Sequence, residues 1–290
     1  VKFAINPLQW DDLDPDGVGL TIRHDSPEVL EQVRAAGFRA VSAEPERLGG
    51  AAACRELLAA SGLDPAPGYY SAPLAAGALS ADERARARAF AVEHIELGLT
   101  EACLADDLDP PRVRRPQPQD DLPAAAIARI VEGVRDVAEV WGELGLTPCI
   151  HNHVGTGIQT AVEVDTVLDQ TESAGVHFCP DTGHLAWAGV DPAATLRRHR
   201  KRVRLLHVKD ISREIAVQGA AGRWDYGATV KAGLWREPGF GDLDLSGALG
   251  VLAERPNWVI LEVDHSTVAP GESTRRCWQW AQSVEQRGNR

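Results

Sequence analysis

Residues 147–185 read TPCIHNHVGTGIQTAVEVDTVLDQTESAGVHFCPDTGHL. An apolar strand over Thr147–Asn152 runs into a polar turn, an amphipathic helix follows over Ala161–Glu172, and Gly175 ends it. A second apolar strand over His177–Pro180 then stops at Asp181. This is a βαβ unit, and in both strands the chemically active side chains stand where the strand ends.

The same alternation extends in both directions. Strands are expected at Lys2–Ile5, Ala40–Ala43, Ala66–Tyr70, Glu101–Leu104, Val203–Lys209 and Trp258–Val263. Helices are expected at Pro27–Ala36, Ala52–Ser61, Ala81–Leu97, Ala124–Leu144, Pro192–Arg198, Leu245–Glu254 and Ser273–Gln286. Ser26-Pro27 supplies an N-cap before a first-turn proline, and Gly37, Gly62, Gly98 and Gly145 follow helix ends as C-caps. Composition does not shift along the chain, so residues 1–290 read as one domain, a (β/α)8 TIM barrel of the α/β class. Two stretches, Asp106–Pro123 and Ser212–Asp244, break the rhythm as long loops. Both follow strands, which places them on the face where strand C-termini meet.

Composition narrows the partners. Of 290 residues, 44% are apolar and 25% charged, enough for a sizeable core. A formal charge of −12 argues against a nucleic-acid partner, which requires clustered cations. Five scattered cysteines without CxxC spacing indicate reduced thiols rather than disulfides or a zinc ribbon. No signal-peptide pattern precedes the first strand and no apolar run reaches the roughly 18 residues of a membrane span, so no membrane role and a cytoplasmic location are expected. Eight tryptophans, among them Trp187, Trp224, Trp235, Trp278 and Trp280, suit a sugar site, a subunit contact or the core, and a homo-oligomer is compatible with them.

Four strand ends carry metal-ligand residue types: IHNHVG at 150–155, PDTGHL at 180–185, LLHVKD at 205–210 and VILEVDHS at 259–266. A parallel barrel brings such ends to one face. Asp181 either caps the next helix or binds a cation, and His184 follows it. His207 and Lys209 share one side of their strand, and His207 taken alone fits a core histidine as well as a ligand. Glu262 weighs toward a site, because a carboxylate among aliphatic neighbours is costly unless paired or metal-bound. His151 is the first choice for the fourth ligand, with His153 orienting a ligand or facing the substrate. Two carboxylates and two imidazoles suit Mn²⁺ or Co²⁺, with Mg²⁺, Fe²⁺ or Zn²⁺ also compatible.

Trp10-Asp11-Asp12, GYYSAPL at 68–74, HNHVGTGIQT at 151–160, DTGHLAWAGVDP at 181–192, HVKD at 207–210 and EPGFGDLDL at 237–245 complete a pattern spanning almost the whole chain. It resembles the xylose-isomerase-like TIM-barrel superfamily and, within it, the inosose (2-keto-myo-inositol) dehydratases. The resemblance implies a metal set of Asp181, His207 and Glu262, with His151 where the isomerases have a glutamate. It implies a lyase that dehydrates a keto-inositol or related keto-sugar through a metal-stabilised enediolate. His153, His184 and Lys209 are the candidate acids and bases, and Trp10, Asp11, Trp187 and Arg213 the candidate substrate contacts. Alternatives are a ketose isomerase or epimerase, the metal-dependent subunit of a C-glycoside-cleaving enzyme, and an inactive sugar-binding scaffold.

Overall fold

The computed structural model describes residues 2–15, 17–252 and 256–288. In it β1 (Lys2–Asn6) pairs in parallel with β2 (Ala40–Ser42) on one side and β9 (Trp258–Glu262) on the other, and β9 pairs with β8 (Leu205–Val208). A second run joins β4 (Tyr69–Ala72), β5 (Glu101–Asp106), β6 (Thr147–His151) and β7 (His177–Cys179), all parallel. Two seams close the ring. At one, β3 (Asp64–Ala66) pairs with β2 and leads directly into β4. At the other, β7 and β8 meet only through the bridges Phe178–Val203 and Asp181–His207.

The split of the third barrel strand into β3 and β4 departs from the single strand expected over Ala66–Tyr70. Pro67 has no N–H to give to a ladder. Gly68 passes so close to its neighbours that a Cβ there would lie 2.3 Å from the Ala43 carbonyl oxygen and 2.6 Å from His94 Nε2. The backbone crosses over at this point and donates from Gly68 N–H to His94 Nε2 at 3.3 Å.

Eight outer helices follow the barrel positions: α1 (Pro27–Ala36), α2 (Ala51–Ala60), α3 (Ala81–Glu96), α4 (Ala124–Gly142), α5 (Ala161–Gln170), α6 (Pro192–His199), α7 (Leu245–Gly250) and α8 (Pro270–Gly288). The expected end of α7 at Glu254 lies outside the described residues. The long loops are not structureless. Arg213–Gly222 and Tyr226–Lys231 are helices capped by Ser212 and Asp225, and Trp235–Arg236 pairs antiparallel with Asp210–Ile211. Those caps are the local signal that the loop reading passed over.

Bulky side chains such as Trp141, Phe38 and Ile150 fill the layer between strands and helices. Small ones line the barrel interior: Ala4, Ala40, Ala66, Cys103, Cys149 and Cys179, with Leu205, Trp258 and Ile260. Strand side chains alternate in direction, so the residue two positions beyond an inward one also faces in. Asn6, His151, Asp181, His207 and Glu262 are those next inward positions.

Asp11 fastens the hairpin formed by Asp12–Leu13 and Leu20–Thr21. Its Oδ1 accepts from the N–H groups of Arg23 and His24 at 2.8 and 3.0 Å, and its Oδ2 lies 2.7 Å from His24 Nδ1. His24 Nε2 reaches Glu44 Oε1 at 3.3 Å. Burial opposes charge on His24, and hydrogen bonds to Asp11 and Glu44 outweigh it, raising its pKa from 6.5 to about 9. A raised folded-state pKa gives stability that is complete below pH 6.5 and lost as pH rises through 9. Urea unfolding should show a loss of about 3 kcal/mol across that window, and His24→Gln should flatten the slope.

Candidate metal centre

Asp181, His207 and Glu262 converge inside the C-terminal mouth of the barrel, with one ligand atom of each within 4.8 Å of the others. His151, Asp181 and His184 form a second such group that shares Asp181. All five side chains are buried.

Asp181 divides its two oxygens. Oδ1 caps the short helix Thr182–Trp187 by accepting from His184 N–H at 2.9 Å. Oδ2 has no hydrogen-bond partner and lies 3.5 Å from Lys209 Nζ. The capping and ligand readings of Asp181 are thus compatible. Asn152 fixes the backbone here, its Oδ1 accepting from Asp181 N–H at 2.9 Å. Glu262 accepts from Asn6 Nδ2 at 2.8 Å, and its Oε1 is 3.3 Å from His207 Nδ1. His151 Nδ1 and both ring nitrogens of His207 lack hydrogen-bond partners. Buried imidazole and carboxylate atoms rarely stay unpaired, so Asp181 Oδ2 and one nitrogen of His207 fit a cation between them.

Lys209 is the centre's own cation. Its Nζ lies 2.8 Å from Asp264 Oδ1, 3.0 Å from Glu262 Oε2 and 3.2 Å from His184 Nε2. Burial works against its charge, but Asp264, Glu262 and Asp181 prevail and hold its pKa well above the ordinary lysine value. Burial raises Asp181 to about 6. Burial resists ionisation of Glu262 too, yet His207 and Lys209 bring its pKa well below normal. Burial opposes charge on His207, yet Cys179 and Glu262 raise its pKa well above 6.5, so three carboxylates face the Lys209 ammonium and a protonated ring, and a divalent cation would take the place of that ring proton.

Burial makes the remaining imidazoles neutral: His151 and His184 titrate well below 6.5, and His153 near 3. The contact of His153 Nδ1 with the Val154 carbonyl oxygen at 2.7 Å makes Nδ1 the protonated nitrogen, so Nε2 is left with a lone pair. His153 packs on His184 at 3.7 Å between ring centroids.

Above the centre lies a cavity of about 430 Å³ whose lining includes His151, His153, Lys209, Glu262, Asp264 and Tyr226. Trp10, Asp11, Trp187 and Arg213 are not among its lining residues. Trp10 bonds Thr274 of α8 through Nε1 at 3.0 Å, and Asp11 holds the hairpin. Trp187 is fully buried behind His184, against Tyr226 and Trp235. Arg213 is exposed at the start of its helix. Conversely, Asn6, Asp264, Tyr69 and Tyr226 were not singled out. Asn6 and Asp264 continue the inward alternation of Ala4 and Glu262, which is a usable signal. Tyr226 lies in an interrupted loop region where no period exists to read.

A parallel eight-position barrel with carboxylates and imidazoles gathered in its C-terminal mouth defines a class of α/β barrel built around a metal-type centre. The chain belongs to the xylose isomerase-like TIM barrel family, whose model matches residues 30–284. An inosose dehydratase of Clostridium tetani is 30% identical over 137 residues, 47% of this chain and 46% of that protein. The chain thus spans about half the length of the first curated relatives it matches. The rhizopine catabolism protein MocC of Rhizobium meliloti is 28% identical over 275 residues, covering 91% of this chain and 82% of that one. The solved structure of the IolI protein with a bound zinc atom superposes with a TM-score of 0.71 at 13% identity over 99% of both chains. No described helix is long and apolar enough to cross a membrane.

Replacing Lys209 by Met should leave the three carboxylates without their ammonium. The metal-free variant is expected to lose about 3–5 kcal/mol of stability in urea unfolding. Saturating Mn²⁺ should restore more of that than it adds to the parent protein.

Proposed function

We propose that this protein is a divalent-metal-dependent lyase that removes water from a keto-inositol or a closely related keto-sugar, as one cytoplasmic barrel over residues 1–290. The observation that carries the reading is the set of unpartnered buried atoms on His151, Asp181 and His207 beside Glu262, directly under a cavity containing a lone-pair imidazole and a lysine. The names of the curated relatives agree with it. Asp181, His207, Glu262 and His151 would hold the ion, Mn²⁺ or Co²⁺ first, with zinc the ion bound by the IolI neighbour. Bound there, a divalent ion supplies Lewis-acid polarisation of the substrate's ketone oxygen.

The protein's own groups do the rest. His153 Nε2, unprotonated because burial keeps the ring neutral, takes the proton α to the ketone. Lys209 faces the same cavity, is kept protonated by Asp264, and donates to the departing β-hydroxyl. His184 lies behind both and positions them, contacting Lys209 Nζ and packing on His153. Tyr226, stacked on His153, walls the cavity. A cavity of about 430 Å³ lies at the small end of ligand sites and accommodates a six-carbon polyol.

The second reading is a ketose isomerase or epimerase, for which the proton returns to the substrate. His151 favours dehydration: it is a neutral, buried imidazole where a two-base epimerase of this family has its second carboxylate.

Incubation with 2-keto-myo-inositol should give loss of water by mass and a new dione or enone absorbance. Solvent deuterium entering a ketohexose of otherwise unchanged mass, without water loss from any inosose, would replace this reading by isomerisation. Glu262→Gln and Asp181→Asn should each lose metal retention and at least about 100-fold in kcat/KM together. His153→Gln should lower kcat by about 10²–10⁴-fold with metal content unchanged.

A further inference from the structure

One inward layer beneath the carboxylates, the barrel holds three buried free thiols, Cys103, Cys149 and Cys179. Two of them, Cys103 and Cys179, are grouped with His151 and His207 so that two sulfurs and two imidazole nitrogens all lie within 4.8 Å of one another. All four residues are at most 2% exposed. His207 brings an unsatisfied nitrogen to the group whichever of its two it uses, since neither has a hydrogen-bond partner, and His151 Nδ1 also lacks one.

We propose that Cys103, Cys179, His151 and His207 form a second metal position, a tetrahedral S₂N₂ site for a soft divalent ion such as Zn²⁺ or Cd²⁺, which competes with the carboxylate centre for its two histidines. Two thiolates and two imidazoles are a donor set that zinc takes in closed sites, with Zn–S near 2.3 Å and Zn–N near 2.0–2.1 Å. A tetrahedron of those bonds has edges of about 3.4–3.8 Å, so the group needs to contract by no more than about 1.4 Å. Coordination forms two metal–sulfur and two metal–nitrogen bonds and releases to solvent both thiol protons and the extra proton of the His207 ring. Two thiolates neutralise the dication, so no net charge enters the apolar interior, whereas the oxygen-preferring ions Mg²⁺ and Mn²⁺ gain little from sulfur and stay with Asp181 and Glu262. Cys149 lies outside the group and contacts the Thr147 carbonyl oxygen at 4.0 Å instead.

The consequence is sorting of metals by softness. An ion in the lower position draws His151 and His207 away from the upper one, so zinc or cadmium silences a centre that manganese loads.

The test uses the metal-free full chain titrated with Cd²⁺ alone, read by thiolate-to-cadmium charge-transfer absorption, with Mn²⁺ binding followed by paramagnetic resonance. The expected result is a thiolate band in the parent and in Cys149→Ala that is lost or halved in Cys103→Ala and Cys179→Ala. Those last two variants should still bind Mn²⁺, and saturating Cd²⁺ should reduce Mn²⁺ binding at least tenfold in the parent. Cadmium NMR of the parent alone should report mixed sulfur and nitrogen ligation, which keeps the test decisive if a variant does not fold. Cadmium binding without a thiolate band, a band that survives both substitutions, or an all-oxygen/nitrogen cadmium shift would overturn the proposal. None of these readouts depends on turnover, so failure here leaves the dehydratase reading intact.

Discussion

Everything in the barrel mouth is organised by the ammonium of Lys209 among Asp181, Glu262 and Asp264. A buried carboxylate without a counter-charge is expensive, and three in one place would not remain ionised. The lysine and the His207 ring make the group tolerable in the absence of any ion and leave it short of neutral by one charge rather than two. The same arrangement therefore stabilises the empty mouth and would also receive a dication. Asn6, Asn152 and Thr182 support it: Asn6 and Asn152 through side-chain amides, and Thr182 through a hydroxyl that donates to the Lys209 carbonyl oxygen at 2.7 Å.

The interior beneath the mouth explains why these polar groups stand where they do. Alanines and cysteines occupy most of the inward positions one step down the strands. A barrel plugged by large aliphatic residues at that level would push the histidines and carboxylates upward and apart. Small residues let the rings of His151 and His207 approach to 4.9 Å between centroids, with the sulfur atoms as their floor. Packing below and chemistry above are thus set by the same period-two alternation.

That alternation is also what made the sequence readable. The strand ends at His151, Asp181, His207 and Glu262 follow from apolar runs that stop at polar residues, and the helices from caps and glycines such as Ser26 and Gly37, whose φ is 124°. What did not follow depends on long-range approach. The division at Gly68 is dictated by the Ala43 carbonyl and His94, neither of which is a local neighbour. Asp11 pairs with His24 across a hairpin, a contact between segments thirteen residues apart, whereas the family resemblance implied a substrate contact for it. Arg213 lies six residues beyond His207 in sequence, but a helix begins at that residue and leaves its side chain exposed. Asp264 was legible, two residues past Glu262 on the same face, and its role emerges once Lys209 is seen to need a dedicated partner.

The junction between β7 and β8 carries a final consequence. Its two strands form no continuous ladder and touch at isolated bridges, one of which joins Asp181 to His207. An interrupted stave joint in the cask is therefore spanned by two residues of the centre itself. Whatever grips both at once acts as a hoop, so that filling the site and tightening the barrel are one event.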